Sequence, residues 1–340
     1  MRFAGWCFAF TLVSPVSPWR LPLIISSDIA VNLTDPMFQG TYGGRKKHEA
    51  DIKAVIERAK AKGVEKILIT GTSLKESKAA LEMAKEFDLQ CSAGVHPTST
   101  NDIDKHPSGA KGYFKELTDF IDQDLGGEGS KRIISIGEIG LDYDRLHYSP
   151  QETQLAHLPE LLLLQKKYKL PLFLHSRTSE SHTDLVRIMK EIGWTTEWGG
   201  GVAHSFTGTT EEMKELVHMG LYIGVNGCSL KTADNLEVIK QIPLDRLLLE
   251  TDAPWCTPTA SHASAAYVPP KDSHLAVQKV SKPDKWKEGL GVKGRMEPAE
   301  IGIIAHVVAS VKGIPIEELA EQVWQNTVKL FYPHEVDGSQ

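Results

Sequence analysis

Cysteine is scarce in this chain, and its four occurrences stand far apart, at Cys7, Cys91, Cys228 and Cys256. No two of them have CxxC spacing, which argues against a structural zinc site and against a disulfide framework. A reducing compartment is therefore the expectation, and we predict a cytoplasmic or nuclear location, or both.

An excess of positive charge is also missing. The 340 residues carry a formal net charge of -6 and a sequence pI near 6.1. This balance excludes a protein that coats nucleic acid with its whole surface and restricts any polyanion site to a local patch. With 41% hydrophobic and 24% charged residues, the composition is that of a soluble globular protein.

Long apolar runs are confined to the N-terminus. One early Arg and an apolar run from Ala4 to Val13 resemble a secretory signal, but nearby prolines and Trp19 are untypical of a cleavage site. No later run reaches the ~18 apolar residues of a membrane span, so no membrane contact is predicted. We expect residues 1–23 to be an extension, either a targeting segment for secretion or an organelle or a disordered tail, and residues 24–334 to form one domain.

Glycine-rich phosphate loops are absent too. There is no GxGxxG after the first apolar run and no GxxxxGK[ST], which removes the main support for Rossmann and P-loop folds. Present instead are eight short β-branched runs separated by amphipathic stretches such as LKESKAALEMAKEF and TEEMKELVHMG. This alternation predicts an α/β fold, a (β/α)8 TIM barrel, with an open doubly wound sheet as the alternative.

Polar residues gather at the C-terminal ends of these runs, where the active site of a parallel barrel is built. A single strand histidine is usually structural, but repeated His and carboxylate residues at one end indicate a site. The residues are Asp28, Asn32, Thr70, His96, Glu138, Asp142, His175, Arg177, His204, Ser205, Asn226, Glu250 and Asp252.

Two imidazoles, His175 and His204, and two carboxylates, Glu138 and Asp252, make a ligand set suited to a divalent cation. A cation would compensate the buried charge of Glu138 in ISIGEIGLDYD and would activate water for hydrolysis, with Asp252 accepting the proton. Asp142, placed just past the strand end, is expected either to coordinate directly or to support a ligand histidine, with Ser205 also in a supporting role. Gly137 and Gly140 should leave room for the cation, and Glu250 is left as a partner at the core rim.

Five blocks in the chain resemble the signatures of the TatD-type metal-dependent deoxyribonucleases, which are amidohydrolase-like TIM barrels. The blocks are GVHP, GEIGLDY, LHSR, HSFTG and ETDAPW, in family order, and NLTDPMF and NGCSLKT resemble the eukaryotic branch. The resemblance runs from about Asp28 to the C-terminal helices. It implies metal-dependent hydrolysis of DNA phosphodiesters, typically as a 3′ to 5′ exonuclease on single-stranded ends, in DNA repair or in DNA fragmentation during cell death.

The same resemblance assigns roles to residues. It implies that Glu138, His175, His204 and Asp252 bind metal, with Mg²⁺ as the first choice, Mn²⁺ or Zn²⁺ as alternatives, and one or two ions. His96 matches a histidine that holds the scissile phosphate, which makes Asp252, Glu138 and His96 the predicted catalytic residues. Arg177 is expected to contact phosphate as well.

The chain departs from the family pattern in two places. Where related enzymes often close strand one with an HxH pair, this chain has Ala30 and Asn32, so a second metal is expected to be weaker, water-rich or absent, and Asn32 becomes a substrate-contact candidate. The second departure is RMEP, where Met296 replaces the amide of RNEP, which puts the local hydrogen bonding in doubt.

A basic segment supplies the predicted DNA contact. The stretch Lys271 to Arg295 carries seven Lys or Arg against three acids, and it includes Trp286. Cations mixed with aromatic rings suit a single strand, so Lys282, Lys285, Lys287 and Trp286 are predicted to bind substrate, with Tyr267 and Trp255 nearby. The alternative is a solvated surface loop. No stable protein partner is indicated, and we expect a monomer.

Two other functions remain open at this level. Fold and metal alone do not select the bond that is cleaved, so an esterase, amidase or deacylase on the same barrel is the first alternative. The second is a catalytically impaired barrel that binds nucleic acid or protein, since the strand-one histidines are missing.

Overall fold

The computed structural model describes residues 26–129, 131–270, 273–277 and 279–336. The predicted extension at residues 1–23 and Lys271 lie outside this part of the chain. Eight parallel strands form one sheet in chain order, each hydrogen-bonded to the next. They are β1 Ser26–Val31, β2 Val64–Ile69, β3 Gln90–Ala93, β4 Ile133–Asp142, β5 Leu172–Arg177, β6 Gly201–Ala203, β7 Tyr222–Val225 and β8 Leu247–Leu249.

Nine helices of at least nine residues surround the strands in the described part of the chain. They are α1 Ile52–Ala61, α2 Leu74–Phe87, α3 Gly109–Gly126, α4 Gln151–Tyr168, α5 Ser179–Glu191, α6 Thr210–His218, α7 Ala233–Gln241, α8 Ile301–Lys312 and α9 Ile316–Phe331. Each of α1 to α7 follows one barrel strand and precedes the next. The predicted (β/α)8 barrel is therefore confirmed.

The first and last strands meet at a seam. The Asn32 backbone N–H donates to the Ala253 carbonyl at 2.8 Å, and the Asp252 N–H donates to the Ala30 carbonyl at 3.0 Å. Below them, the buried Asp28 carboxyl accepts hydrogen bonds from the Thr251 N–H and hydroxyl at 2.9 and 2.5 Å. These contacts nearly close the barrel and exclude the open doubly wound sheet.

Apolar side chains fill the interior of the barrel and the layer between strands and helices. The interior includes Ile29, Leu68 and Phe173, and the end of α9 covers its N-terminal side with Leu330 and Phe331. Because this end is sealed, polar chemistry is restricted to the opposite end. No single helix in the described ranges has the length and apolarity to cross a membrane; a bent pair, Pro298–Lys312 with Ile316–Phe331, passes that test together.

A buried ion network holds the segment that follows the long loop after β8. The Arg295 guanidinium donates to both oxygens of Asp51 at 2.7 and 2.6 Å and to Glu297 at 2.9 Å, and Glu297 also accepts from Arg58 at 2.8 Å. Between these charges, the Met296 side chain is fully buried in the apolar core, while its backbone N–H donates to the Pro254 carbonyl at 3.0 Å. Met296 therefore contributes an apolar side chain to the core, and its backbone N–H is paired.

Candidate active site

Three ligand-type side chains converge at the open end of the barrel. Glu138 lies in β4, His175 in β5, and His204 directly after β6. Glu138 Oε1 is 2.7 Å from His175 Nδ1 and 2.7 Å from His204 Nε2, and the two nitrogens are 3.4 Å apart. All three residues are buried. One oxygen and two nitrogens therefore face a common point, as ligands of a divalent cation do.

The far side of each imidazole faces a second carboxylate. His175 Nε2 is 3.2 Å from Asp142 Oδ2, and His204 Nδ1 is 3.3 Å from Glu250 Oε1 without a well-aligned hydrogen bond. A carboxylate behind a metal-binding histidine orients the ring and strengthens its basicity. Asp142 is the last residue of β4 rather than a residue beyond it, and it shares the strand face of Glu138 because the two are an even number of residues apart.

A second group of possible ligands shares His175. His96, Asp142 and His175 each offer an atom within 4.8 Å of the others, as Glu138, His175 and His204 do. Asp142 therefore has the geometry for either of its two predicted roles. Asp252 belongs to neither group among the described residues, so its role as a metal ligand stays a prediction.

The two glycines near Glu138, at positions 137 and 140, permit close packing of two strands. Gly137 and Gly140 have φ of +154° and +147°, and a Cβ on them would lie 2.4 Å from the Phe173 carbonyl oxygen and 1.9 Å from the His175 carbonyl oxygen. They are needed because β5 packs against β4 at these points. The glycines thus allow β5 to lie directly against β4 here, and their effect on the room for a cation stays a prediction.

The buried carboxylate of Glu138 stays charged through its neighbours. Burial alone would raise its pKa, but His204, His96 and the imidazole hydrogen bonds hold the pKa well below its ordinary value. Burial would lower the pKa of His204, yet Glu138 and Glu250 hold it well above its ordinary value. Positive charge is thus favoured at the point that the three donors face, which fits a cation-binding centre.

His96 presents one ring nitrogen to this centre. Its Nδ1 accepts a hydrogen bond from the Thr98 N–H at 3.1 Å, and its Nε2 lies 3.4 Å from Glu138 Oε1. Burial lowers the pKa of His96 to about 3, against the opposing effect of Glu138. A neutral ring whose Nδ1 accepts carries its proton on Nε2, so His96 can donate to an anionic oxygen in the centre.

Asp252 stands at the edge of the centre, just beyond β8. Its Oδ1 accepts a hydrogen bond from the Asn32 side-chain amide at 2.9 Å, and its Oδ2 lies 3.4 Å from the Cys256 thiol. Burial raises the pKa of Asp252 to about 6, opposed by His204 and assisted by Glu250. A carboxylate with a pKa in this range is suited to accept a proton near neutral pH.

Arg177 and Ser205 connect β5 to the loop after β6. The Arg177 guanidinium donates to the Ser205 carbonyl at 3.2 Å and to the Thr207 hydroxyl at 2.9 Å. The Ser205 N–H donates to Glu250 Oε1 at 2.6 Å, and its hydroxyl accepts from the Asn226 amide at 2.9 Å. Ser205 thus supports Glu250, which faces His204, while Arg177 is held at the rim of the site.

A polar cleft of about 830 Å³ opens beside Arg177. Arg145 and Lys231 line it, and neither was predicted from the sequence, although Arg145 stands three residues after β4 and Lys231 six residues after β7. Three helix N-caps, Thr178, Thr209 and Thr232, also line it, so the positive ends of α5, α6 and α7 face the cleft. The acidic side chains of the cleft are Asp144, Glu212, Asp234 and Glu237.

The predicted DNA-binding segment lies elsewhere on the rim. Lys282, Lys285 and Lys287 are exposed, but the Trp286 ring stacks on His48 at 4.8 Å and its N–H donates to the Leu290 carbonyl at 2.7 Å. One face of the indole is therefore occupied by the protein itself. Trp255 is 52% exposed and Tyr267 is 39% exposed. Tyr148, which was not predicted from the sequence, is 59% exposed.

Comparison with known proteins shows a match over nearly the whole described chain. A family model described as TatD related DNase matches residues 27–332. A Schizosaccharomyces pombe protein named Deoxyribonuclease Tat-D is 42% identical over 306 residues, covering 89% of this chain and 94% of that protein. A Dickeya dadantii protein named 3′-5′ ssDNA/RNA exonuclease TatD is 32% identical over 311 residues, covering 90% and 97%. The crystal structure of an uncharacterized amidohydrolase from Saccharomyces cerevisiae is 36% identical with a TM-score of 0.82, covering 90% of this chain and 99% of that one.

Proposed function

Because this chain belongs to the family of TatD-related DNases and is a hydrolase, we propose that it cleaves DNA phosphodiester bonds with the help of a divalent cation. The exonuclease name of the Dickeya dadantii relative supports the finer proposal of 3′ to 5′ cleavage of single strands. The observation that carries the proposal is the position of Glu138 Oε1, 2.7 Å from one nitrogen each of His175 and His204.

The residues that would hold the cation are Glu138, His175 and His204, with Asp252 at their edge. When bound, a divalent cation lowers the pKa of water to about 7 and polarises a phosphoryl oxygen. We propose Mg²⁺ first, as the family resemblance implies, with Mn²⁺ or Zn²⁺ as alternatives because imidazole ligands are mixed with carboxylates in this set.

The other site residues act on the substrate and on the proton. Asp252 accepts the proton of the attacking water, and Asn32 keeps one oxygen of that carboxylate oriented. His96 donates from Nε2 to a phosphate oxygen, and the guanidinium of Arg177 stabilises charge at the rim. The polar cleft beyond Arg177 then receives the strand.

Strand β1 offers little to a second ion. Ala30 is fully buried in the barrel interior, and the Asn32 amide is bonded to Asp252. We therefore propose one firmly held cation. A second ion at His96, Asp142 and His175 would be weak, because His96 could bind it only by losing the Nε2 proton that it otherwise donates to phosphate.

The experiment is degradation of labelled oligonucleotides by the purified chain. Single-stranded DNA labelled at the 5′ or the 3′ end, duplex DNA and RNA are incubated with Mg²⁺ or Mn²⁺, with and without a chelator. We expect a ladder that shortens from the 3′ end of single-stranded DNA and stops with chelator. An ester and amide panel run alongside separates the alternative hydrolases, and metal-dependent cleavage confined to that panel would contradict the proposal.

For the cell, we propose action on DNA ends in repair or in DNA fragmentation during cell death, in the cytoplasm or nucleus. Single-stranded ends are produced in both processes. Imaging of tagged full-length and residue 24–340 forms tests the location. If the form with residues 1–23 enters an organelle or is secreted and the shorter form does not, the proposed cytoplasmic and nuclear location is wrong.

A further inference from the structure

Two free thiols meet at the rim of the active site. Cys228 lies in the turn Gly227–Leu230 after β7, and Cys256 lies in the loop after β8. Their sulfurs are 2.6 Å apart, and Cys256 Sγ is also 3.4 Å from Asp252 Oδ2. Both residues are half-buried, whereas Cys91 is fully buried. The pair therefore combines contact, access for small molecules and a direct link to the active site.

The backbone already holds the two sulfurs together. Strands β7 and β8 are paired neighbours, so the turn and the loop leave the barrel side by side. A Cβ added at Gly227 would lie 1.8 Å from the Cys256 carbonyl oxygen, which shows how closely the two segments pack. Bringing the sulfurs to the bond length of about 2.0 Å thus needs only a small local movement.

We propose that Cys228 and Cys256 are a redox-modification site, at which a reversible disulfide weakens cation binding and hydrolysis at the neighbouring active site. The reagent is a small disulfide of the glutathione class. Cys228 attacks one sulfur of that disulfide and releases one thiolate; Cys256 then attacks the Cys228 sulfur and releases the second. Two protein S–H bonds and one S–S bond are exchanged for one protein S–S bond and two small thiols, and excess thiol reverses the exchange.

Cys228 is the better first nucleophile of the two. It lines the polar cleft, and both its hydrogen bond with Cys256 and the charge of Lys231 lower the pKa of its thiol. The effect on the active site follows from Cys256. Oxidation removes the single S–H of Cys256, which lies between Cys228 Sγ and Asp252 Oδ2, and ties the loop of Asp252 to the turn after β7. Loss of such an outer partner typically costs about tenfold to a hundredfold in metal affinity or activity.

The test uses the full chain with Cys7→Ser, reduced or treated with glutathione disulfide. Non-reduced tryptic digestion followed by mass spectrometry reads the bridge between peptides 215–231 and 247–271. Titration with Mn²⁺ alone reads cation affinity. We expect the bridged species to bind Mn²⁺ about tenfold more weakly and to recover with excess thiol. No bridge between these peptides, or a bridge with unchanged Mn²⁺ affinity and activity, would overturn the proposal.

Two variants complete the design, each compared with itself before and after oxidation. In Cys228→Ser the ratio of oxidised to reduced Mn²⁺ affinity should stay near one, while in Cys91→Ala the loss should persist. If Cys228→Ser still loses Mn²⁺ affinity on oxidation, the loss comes from another group and the proposal is wrong. The effect on hydrolysis rests on the proposed function. The disulfide and the Mn²⁺ affinity are measured without DNA, so they still test this proposal if the nuclease assay fails.

Discussion

The side-chain amide of Asn32 donates a hydrogen bond of 2.9 Å to Asp252 Oδ1, across 220 residues of chain. Asn32 follows the first barrel strand and Asp252 follows the last, so the bond spans the seam at which the barrel closes. Asn32 stands at one of the two positions where the family pattern has histidine in strand one. Here its side chain binds Asp252, the proposed proton acceptor. Asn32 thereby helps to orient a carboxylate, and its amide nitrogen is not available to a metal.

Removing this amide should slow catalysis more than it weakens substrate binding. In Asn32→Ala we expect kcat to fall about tenfold to a hundredfold with a small change in KM, because Asp252 loses a positioning partner. Asn32→Asp should be worse, since it places a second carboxylate beside Asp252. Steady-state kinetics on single-stranded DNA provides the measurement, and equal kcat in all three proteins would contradict the role.

Glu138 should be indispensable for cation binding. Glu138→Gln keeps the shape of the side chain but removes the charge that both imidazoles face. We expect activity and Mn²⁺ affinity to fall by at least about a hundredfold, the upper end of what loss of an outer partner costs. Glu86→Gln, at an exposed helix position, is the matched control. Retention of full activity by Glu138→Gln would rule out the proposed metal centre.

The exposed lysines of the loop after β8 test the predicted DNA contact. Replacing Lys282, Lys285 and Lys287 with Ala should weaken binding to single-stranded DNA and reduce the slope of log K against log salt by about 2, or 0.7 for each phosphate contact. Fluorescence anisotropy over a salt series measures both quantities.

The control for this loop replaces three lysines in the last turns of helices, on the opposite side of the barrel. These are Lys85, Lys166 and Lys190. Its affinity and salt slope should match those of the unmodified chain. If the loop variant gives the same values as this control, the solvated-loop alternative is correct and the cleft beside Arg177 alone must hold the strand.

Asp28 should give the fold a stability that falls as pH rises. Burial raises its pKa from 3.8 to about 8, opposed by the Thr251 hydrogen bonds. Between these values the folded chain keeps a proton that the unfolded chain releases, so the group's contribution is complete below the unfolded pKa. It declines by about 1.4 kcal/mol per pH unit up to the folded pKa.

The measurement is chemical unfolding from pH 4 to pH 8. Asp28→Asn mimics the protonated acid and should flatten this component, making the variant more stable than the parent at pH 8. The exposed Asp245→Asn serves as control and should keep the parent slope. A parental slope in Asp28→Asn would show that Asp28 is ionised in the folded chain.

Met296 should not tolerate the amide that the family pattern has at its position. Met296→Asn places a polar group in an apolar pocket and leaves a cavity, so we expect a loss of about 3 kcal/mol in the free energy of unfolding. Met296→Leu, similar in volume, should cost less than about 1.5 kcal/mol. Urea denaturation of both variants decides the point; an Asn variant as stable as the parent would mean that a polar partner is within reach.

The barrel strands could be predicted because parallel strands covered on both faces are continuous apolar runs. Glu138, His175 and His204 could be predicted because each is a polar residue within or directly after such a run. Which histidine Asp142 supports, and that Glu250 faces His204, could not. It depends on which ring nitrogen faces inward, and side-chain torsions set by packing decide that.

The long loop after β8 shows a second limit. The composition of the loop indicates that Trp286 can stack on another ring but does not identify that ring. In the structure it is His48, which lies between β1 and α1. The contact between Cys228 and Cys256 could likewise not be predicted. It depends on the conformation of two loops, which the periodicity of the strands does not determine.

The seam between β1 and β8 also bears on how the protein is made. β1 is among the first parts of the described chain to be synthesised, yet one of its edges stays unpaired until Ala253 is available. At about 5 to 20 residues per second, the ribosome needs on the order of ten to forty seconds to extend from one side of the seam to the other. During that interval the nascent chain has an open strand edge, which invites pairing with other chains. A truncated product ending before Thr251 would lack both the seam and the proposed proton acceptor, so we expect it to lack hydrolytic activity.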